Sequence, residues 1–319
     1  MKSFILAADV GGTNIRTALL NKEGEVLRSL KRPTLAQRGK EALINRLVQM
    51  LNDTLKEGGV GLNEVRGIGV GFPGPMDVER GIVFNPPNLK GWQEVPLKDV
   101  LEKEMNRPVV LENDANAAAL GEYWKGAGRG TGSLVCLTLG TGVGGGVVLD
   151  GKVWHGAKGI AGEIGHMTLV KNGRSCGCGN RGCLEAYGSS RGVIATMQEL
   201  LERHRIKPEE AITVEAMGKW ARAGDSGLGG LAQRAIREAG ISLGIAIANV
   251  ANLLNPEIFV LSGGVTNLGE YLFGPLRDEV NKRALPKAVE GLKIVKAVLG
   301  DNAGVTGAAR ALLLRSGRS

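Results

Sequence analysis

Phe4-Ile-Leu-Ala-Ala-Asp9-Val-Gly11-Gly12-Thr13-Asn14-Ile-Arg-Thr-Ala-Leu-Leu-Asn21 reads as a strand, a glycine turn and a second strand. Both arms are rich in strand formers, and the turn between them is built from the residues that tolerate tight backbone geometry. Residues 26–30 supply a third strand. The design returns further on: Thr138-Leu139-Gly140-Thr141-Gly142 lies over Asp9-Val10-Gly11-Gly12-Thr13, and Val147-Val148-Leu149-Asp150 lies over Ala18-Leu19-Leu20-Asn21. This self-similarity predicts a duplication. Around the two hairpins helices and strands alternate, with helices expected over 37–56, 96–105, 115–123, 189–204, 214–223, 228–254 and a C-terminal stretch ending near 314. Strands are expected over 66–72, 108–111, 258–261 and 293–299. The pattern is that of an α/β protein, and 319 residues suit two lobes better than one core.

Each glycine turn offers unobstructed backbone N–H groups and a hydroxyl, from Thr13 or Thr141, and such concavities bind phosphate oxygens. Neither turn has the Walker pattern. Gly142-x-Gly144-x-x-Val147 is no dinucleotide fingerprint, since the third glycine is missing and a strand follows. Taken singly, each turn reads as a bare hairpin turn. As a pair, with a third glycine turn at Ser262-Gly263-Gly264 directly after a strand, they point to a nucleotide held between lobes.

Residues 162–185 carry a different chemistry. Glu163, His166, Cys176, Cys178, Cys183 and Glu185 fall within this glycine-rich stretch, which holds three of the four cysteines. One imidazole and three thiolates make a closed tetrahedral set for a structural zinc, with no position left for activated water. A disulfide or three unrelated thiols are the alternatives, and the first needs an oxidising compartment. The N-terminus shows no signal-peptide pattern, so the cytoplasm is expected. A metal-pinned loop would hold Glu163 and Glu185 toward a polar ligand, and sugar hydroxyls suit it. Cys136, in an apolar run, is expected to be a buried strand residue.

The net charge of +8 raises the question of nucleic acid. Lysines and arginines are scattered among acids, and no aromatic residues interleave with them to stack bases, so no nucleic-acid partner is expected. No apolar run reaches membrane-span length; the longest, 241–254, is broken by Ser242, Gly244, Asn249 and Asn252 and reads as a buried helix. No membrane partner is expected.

Asp9-x-Gly-Gly-Thr13-Asn14, Glu112-Asn113-Asp114-Ala115-Asn116, Leu139-Gly-Thr-Gly-Val-Gly-Gly-Gly146, Glu163-x-x-His166 with Cys176-Gly-Cys178-Gly-x-x-Gly-Cys183-Leu-Glu185, and Ser262-Gly-Gly264 together resemble the repressor, open reading frame and kinase (ROK) family, and within it the bacterial glucokinases. The glycine turns alone would be shared with the wider actin-like ATPase superfamily. The resemblance implies two ribonuclease H-like lobes around an interlobe cleft: a small α/β lobe of residues 1–115 completed by the C-terminal helix 302–319, and a large lobe of 116–301 carrying the zinc loop. It implies ATP, Mg2+ and structural Zn2+, a hexose substrate with glucose favoured, and a homodimer. By the same resemblance Asp9, Gly11, Gly12, Thr13 and Asn14, with Gly140, Thr141, Gly142 and Gly144, contact phosphates; Gly263, Gly264 and Asn302 lie near the adenosine. Asn88, Asn113, Asp114, Glu163, His166 and Glu185 hold the sugar, and His166 serves both zinc and a sugar hydroxyl through its two ring nitrogens.

Phosphoryl transfer needs an in-line hydroxyl, charge stabilisation at the γ-phosphate and an acceptor for the hydroxyl proton. Asp114, at a strand-to-helix junction as N-cap or first-turn residue, is the expected acceptor; an ordinary capping aspartate is the other reading. Asp9 is expected to help position magnesium, directly or through water. Kinases for other hexoses or N-acetylhexosamines, polyphosphate as donor, and a non-catalytic sugar-sensing regulator stay open. A repressor would need a DNA-reading domain ahead of the first hairpin, and the first strand begins almost at Met1. His155 and His204, with no partner motif, are read as incidental.

Overall fold

The computed structural model describes residues 3–86, 89, 91–224 and 227–316. β1 (Phe4–Val10), β2 (Asn14–Asn21) and β3 (Val26–Pro33) form an antiparallel meander, followed by α1 (Lys40–Gly58) and β4 (Val65–Phe72). A small hairpin, β5 (Met76–Asp77) and β6 (Ile82–Val83), precedes α2 (Leu97–Met105), β7 (Val109–Asn113) and α3 (Asp114–Lys125). Next come β8 (Ser133–Leu139), β9 (Val143–Leu149), β10 (Lys152–Val153), α4 (Glu185–Gly188), α5 (Ser190–His204), α6 (Val214–Ala223) and α7 (Leu228–Leu254). The chain ends with β11 (Ile258–Ser262), α8 (Glu270–Arg283), α9 (Pro286–Val289), β12 (Lys293–Lys296) and α10 (Ala303–Ser316).

The two five-stranded sheets have orders β3-β2-β1-β4-β7 and β10-β9-β8-β11-β12. In each, an antiparallel hairpin end gives way to parallel strands, β1, β4 and β7 in the first and β8, β11 and β12 in the second. The expected duplication is therefore present as architecture. β1 is buried on both faces along most of its length, which is why all of it but Asp9 is apolar. Leu6, Ala8 and Val10 pack with Leu43, Leu47 and Met50 of α1, whereas Ile5 and Ala7 pack with Val305, Ala308 and Leu312 of α10.

The described chain groups into two compact units, one of Met1–Gly132, Gly146–Gly162 and Val298–Ser319, the other of Ser133–Gly145 and Glu163–Ala297. The sequence expectation put the boundary after residue 115. α3 stays with the first unit because it packs against α10 through glycines: a Cβ on Gly307 would lie 1.6 Å from the Ala117 carbonyl oxygen, and one on Gly121 would lie 2.2 Å from that of Ala303. Gly307→Ala is expected to destabilise the protein by about 1–3 kcal/mol, although alanine is the better helix former by about 1 kcal/mol; urea unfolding midpoints check this. Stability equal to that of the parent chain would show that the two helices separate easily.

Some elements differ from expectation, among them the short β5, β6, β10, α4 and α9. β12 stops at Lys296 rather than 299, and the chain passes through a 3-10 turn, Gly300–Asn302, into α10. α8 was not foreseen, because Gly274 and Pro275 inside it are helix breakers; buried Leu272, Phe273, Leu276 and Val280 hold it nonetheless. Of the two places expected for Asp114, N-cap or first turn, it takes the second, as the first residue of α3, and Asn113 is the cap. Cys136 is buried in β8, and residues 241–254 lie within α7, as expected. Among the described residues no helix is long and apolar enough to cross a membrane.

Candidate active site and metal centre

In the first unit, β1 delivers Asp9 to the end of the sheet, where it shares a row with Gly71 of β4 and Glu112 of β7. The absence of side chains makes room for it. A Cβ on Gly71 would come 3.4 Å from Asp9 Oδ1, and one on Gly304, in the first turn of α10, would come 2.3 Å from its carboxyl. Burial, with the like charges of Asp114 and Asp301, outweighs the Arg16 guanidinium and pushes Asp9 up to about 7. Arg16, its register partner on β2, is held by Asp301 Oδ2 at 2.5 Å. Lys31 donates to the same oxygen at 2.9 Å, and this bond, with Arg16, holds Asp301 below the usual carboxylate range.

The turn after Asp9 closes by Gly11 N–H donating to Asn14 O at 2.9 Å, and Thr34 braces it by donating to Thr13 O and Gly11 O. Gly12 and Thr13 are exposed, and nothing lies within 4 Å of where a Gly12 Cβ would sit. The turn is a cradle open to a ligand. The Asn302 Oδ1, just before α10, is buried and without a hydrogen-bond partner in the structure.

At the end of β7, Asn113 caps α3: its Oδ1 accepts from Ala115 N at 3.0 Å and Asn116 N at 3.2 Å, and its Nδ2 donates to Gly74 O at 3.4 Å. The cap uses the side-chain oxygen, so any ligand contact of Asn113 falls to Nδ2. Asp114 follows, partly exposed, with Oδ1 accepting from Ala115 N at 2.9 Å. Capping and carboxylate are thus separate tasks on neighbouring residues. Asn88 lies outside the described residues.

In the second unit the glycine turns stand at the ends of adjacent parallel strands, β8 and β11, paired through Ser262 and Thr138. Gly140 N–H donates to Gly142 O at 3.0 Å, and Gly140 O accepts from Ser190 N at 2.8 Å. Thr141 is exposed and Gly144 partly so. Gly263 has φ +93°, and a Cβ there would lie 2.3 Å from Leu139 O; Gly264 opens to free space. Strand C-termini of this kind are where α/β sheets receive ligands.

The four metal-ligand candidates converge. The ligand atoms of His166, Cys176, Cys178 and Cys183 all lie within 4.8 Å of one another. Cys176 Sγ is 3.6 Å from His166 Nδ1, and Cys178 Sγ is 3.8 Å from Cys183 Sγ. A tetrahedral zinc with Zn–S near 2.3 Å requires S···S edges of about 3.8 Å, so the set fits the ion. These separations are far beyond a disulfide bond. Burial pushes the Cys176 thiol up to about 12, whereas a backbone hydrogen bond from Asn180 pulls Cys178 down; a coordinating dication deprotonates such thiols outright.

His166 turns Nδ1 to the cluster and leaves Nε2 on the side of Glu163, 3.8 Å from Oε2. Glu163 is more than half exposed. Glu185, at the start of α4, reaches both ways: Oε2 accepts from Val143 N at 3.0 Å and would lie 2.3 Å from a Gly142 Cβ, and Oε1 is 3.6 Å from Cys176 Sγ. It therefore ties the metal cluster to the 140–143 turn, a link that sequence distance hid.

His155 is not incidental. Its Nε2 lies 3.0 and 2.9 Å from the two carboxylate oxygens of buried Glu112, a pairing across 43 residues with no motif to announce it.

The sequence profile of the ROK family matches residues 5–315. A glucokinase of Halalkalibacterium halodurans is 38% identical over 310 residues, covering 95% of this chain and 92% of the relative. A xylose repressor of Caldicellulosiruptor bescii is 34% identical over 309 residues, covering 95% of this chain and 76% of the relative. The solved structure of a ROK family glucokinase from Streptomyces griseus in complex with glucose and AMPPNP superposes with a TM-score of 0.81 at 32% identity, covering 96% of this chain and 98% of that one.

Proposed function

The chain belongs to the ROK family, with the two-lobed α/β fold of the actin-like ATPases, and on that premise we propose that it phosphorylates a hexose with ATP, glucose first among the candidates. The observation that carries this reading is the start of α3, where Asn113 does the capping and Asp114 stands beside it as a partly exposed carboxylate. An aspartate relieved of capping, at a strand-to-helix junction, is suited to take a proton from a ligand hydroxyl. Similarity to a glucokinase over nearly the whole chain supports the choice of reaction.

In this reading Asn113 Nδ2, Asp114, Glu163, His166 Nε2 and Glu185 hold the hexose hydroxyls, and Asn88 joins them. The primary hydroxyl oxygen attacks the γ-phosphorus, the bond to ADP breaks, and Asp114 takes the proton. The 11–14 and 140–144 turns hold the phosphates through backbone N–H groups, with Gly263, Gly264 and Asn302 toward the adenosine; the open cradles at Gly12 and Gly264 and the orphaned Asn302 oxygen fit that use. Asp9, a carboxyl on which burial outweighs the nearby Arg16 guanidinium, suits Mg2+, which when bound would neutralise phosphate charge. His166, Cys176, Cys178 and Cys183 would hold a structural zinc, which when bound fixes the 163–185 segment.

The relation to a xylose repressor supports a second reading, a sugar-responsive regulator without turnover. A coupled assay across glucose, mannose, fructose and N-acetylhexosamines, with ATP and with polyphosphate, separates them. Sugar-dependent ADP release, largest with glucose, is expected. Sugar binding with no phosphorylated product from any donor would establish the regulator instead.

A further inference from the structure

The proposed chemistry leaves one buried charge beside Asn113 and Asp114 without a task. Glu112 is 3% exposed, and among the described residues no lysine or arginine pairs with it. Its Oε1 accepts from Asn113 N at 3.0 Å and from Asn116 Nδ2 at 3.3 Å, and both oxygens face His155 Nε2. A buried carboxylate is costly unless its oxygens are hydrogen-bonded, and His155 is the partner that meets both. A ring nitrogen facing two carboxylate oxygens carries the proton.

His155 arrives on a loop that is itself fixed. Trp154 N donates to Val147 O at 2.8 Å and Ala161 N to His155 O at 3.0 Å. Gly159, at φ +73°, passes so near Met76 O that a Cβ would stand 2.7 Å from it. The loop ends at Gly162, and Glu163 follows in the chain. The network has little slack: Asn116 is 2% exposed, its Nδ2 is already used on Glu112, and its Oδ1 has no partner in the structure.

We propose that His155 is a positioning residue for hexose recognition: its N–H orients the Glu112 carboxylate, Glu112 holds the Asn113 N–H and the Asn116 amide, and the turn presenting Asn113 and Asp114 is thereby fixed. The inference rests on the hexose-kinase reading. Without the ring, Glu112 must turn toward another donor or draw in water, and the turn it anchors shifts with it. Small misplacements of ligand-holding groups have large consequences.

The test compares His155→Ala, His155→Gln, Glu112→Gln and the double variant His155→Ala/Glu112→Gln by calorimetric hexose Kd, by KM for both substrates and by thermal midpoint. His155→Ala is expected to weaken hexose binding about tenfold or more while the ATP KM stays within about twofold. His155→Gln, which restores a donor near the Nε2 position, recovers most of the loss, and the double variant is no worse than its weaker parent. If His155→Ala does not fold, Glu112→Gln must show the same hexose-specific loss. A merely structural histidine would lower the midpoint and leave the hexose Kd unchanged, and that result, or additive losses in the double variant, overturns the proposal. A parent chain that binds hexose without turning it over refutes the kinase reading and leaves the His155 comparison intact. Turnover by the parent with parental affinity in His155→Ala refutes His155 alone, and a parent that binds no hexose refutes both.

Discussion

Asp114→Asn is expected to lower kcat for hexose phosphorylation by about 10²–10⁴-fold while changing hexose Kd by no more than about threefold. The substitution keeps the shape of the side chain and an oxygen for the Ala115 N–H that Oδ1 now accepts at 2.9 Å. It leaves the helix cap alone, because Asn113 supplies it. What disappears is basicity toward the hydroxyl proton. The variant also has an independent signature through Asp9, whose carboxyl stands at about 7 against an ordinary value of 3.8, with burial as the first cause and Asp114 as the second. A carboxyl raised in this way favours the folded chain fully below pH 3.8, and that contribution is lost as pH rises through about 7. Removing the Asp114 charge reduces the loss. In nucleotide-free buffer the thermal midpoint of Asp114→Asn should therefore fall less than that of the parent between about pH 4 and pH 8. A folded variant with near-parental kcat would show that another group takes the proton.

The strands were legible because their cause is local. β1 and β2 announce themselves by apolar runs about a glycine turn, and the repeat of that hairpin at β8 and β9 made two similar sheets readable before any coordinates. The metal cluster was legible for the same reason, since three of its ligands lie within eight residues of sequence, 176–183, and the fourth ten residues before them. α8 was hidden because its propensity disagrees with its packing: Pro275 and Gly274 argue against a helix that Leu272, Phe273 and Leu276 stabilise by burial. The sequence leaves Asp114 open between cap and first turn, since Asn113 and Asp114 are both good caps and only the hydrogen bonds to Ala115 and Asn116 choose between them. Glu112 with His155, and Glu185 with Val143, were invisible for a different reason. Each joins segments more than 40 residues apart through one side chain, and nothing in either segment's own pattern requires the other.

Removing the metal that the Cys3His cluster is suited to hold is expected to abolish hexose affinity at working sugar concentrations, with the ATP-binding turns less affected. The 163–185 segment has little core of its own. Gly182, Cys183 and Leu184 are buried, but residues 177–181 are all exposed. Its backbone is closed by loop hydrogen bonds rather than by regular strands, among them Cys176 N to Asn180 O at 2.9 Å, Gly182 N to Arg174 O at 2.8 Å, Leu169 N to Gly182 O at 2.8 Å and Leu184 N to Met167 O at 2.9 Å, with bridges at Thr168–Cys183 and Ser175–Arg181. Arg174 anchors one end on Glu199 and on the carbonyls of Ala186 and Gly192. The other end rests on the thiols and His166. Structural zinc contributes on the order of 10 kcal/mol to the fold of small domains, far more than any one of these bonds supplies. Without it, three crowded thiols, one of them pushed up to about 12 by burial, offer little to fix His166 or Glu185. Cys183→Ser, the variant at the most buried ligand, should therefore lose bound zinc by elemental analysis, raise hexose Kd by at least about 10²-fold and leave the nucleotide KM within about threefold. Chelation of the parent chain should give the same pattern, reversed by added zinc and not by magnesium, since thiolate donors select the softer ion. Purified protein without zinc that binds hexose as tightly as the metal-loaded form would mean that the cluster is a reduced cysteine nest, and the sugar-holding role of His166 and Glu185 would fall with it.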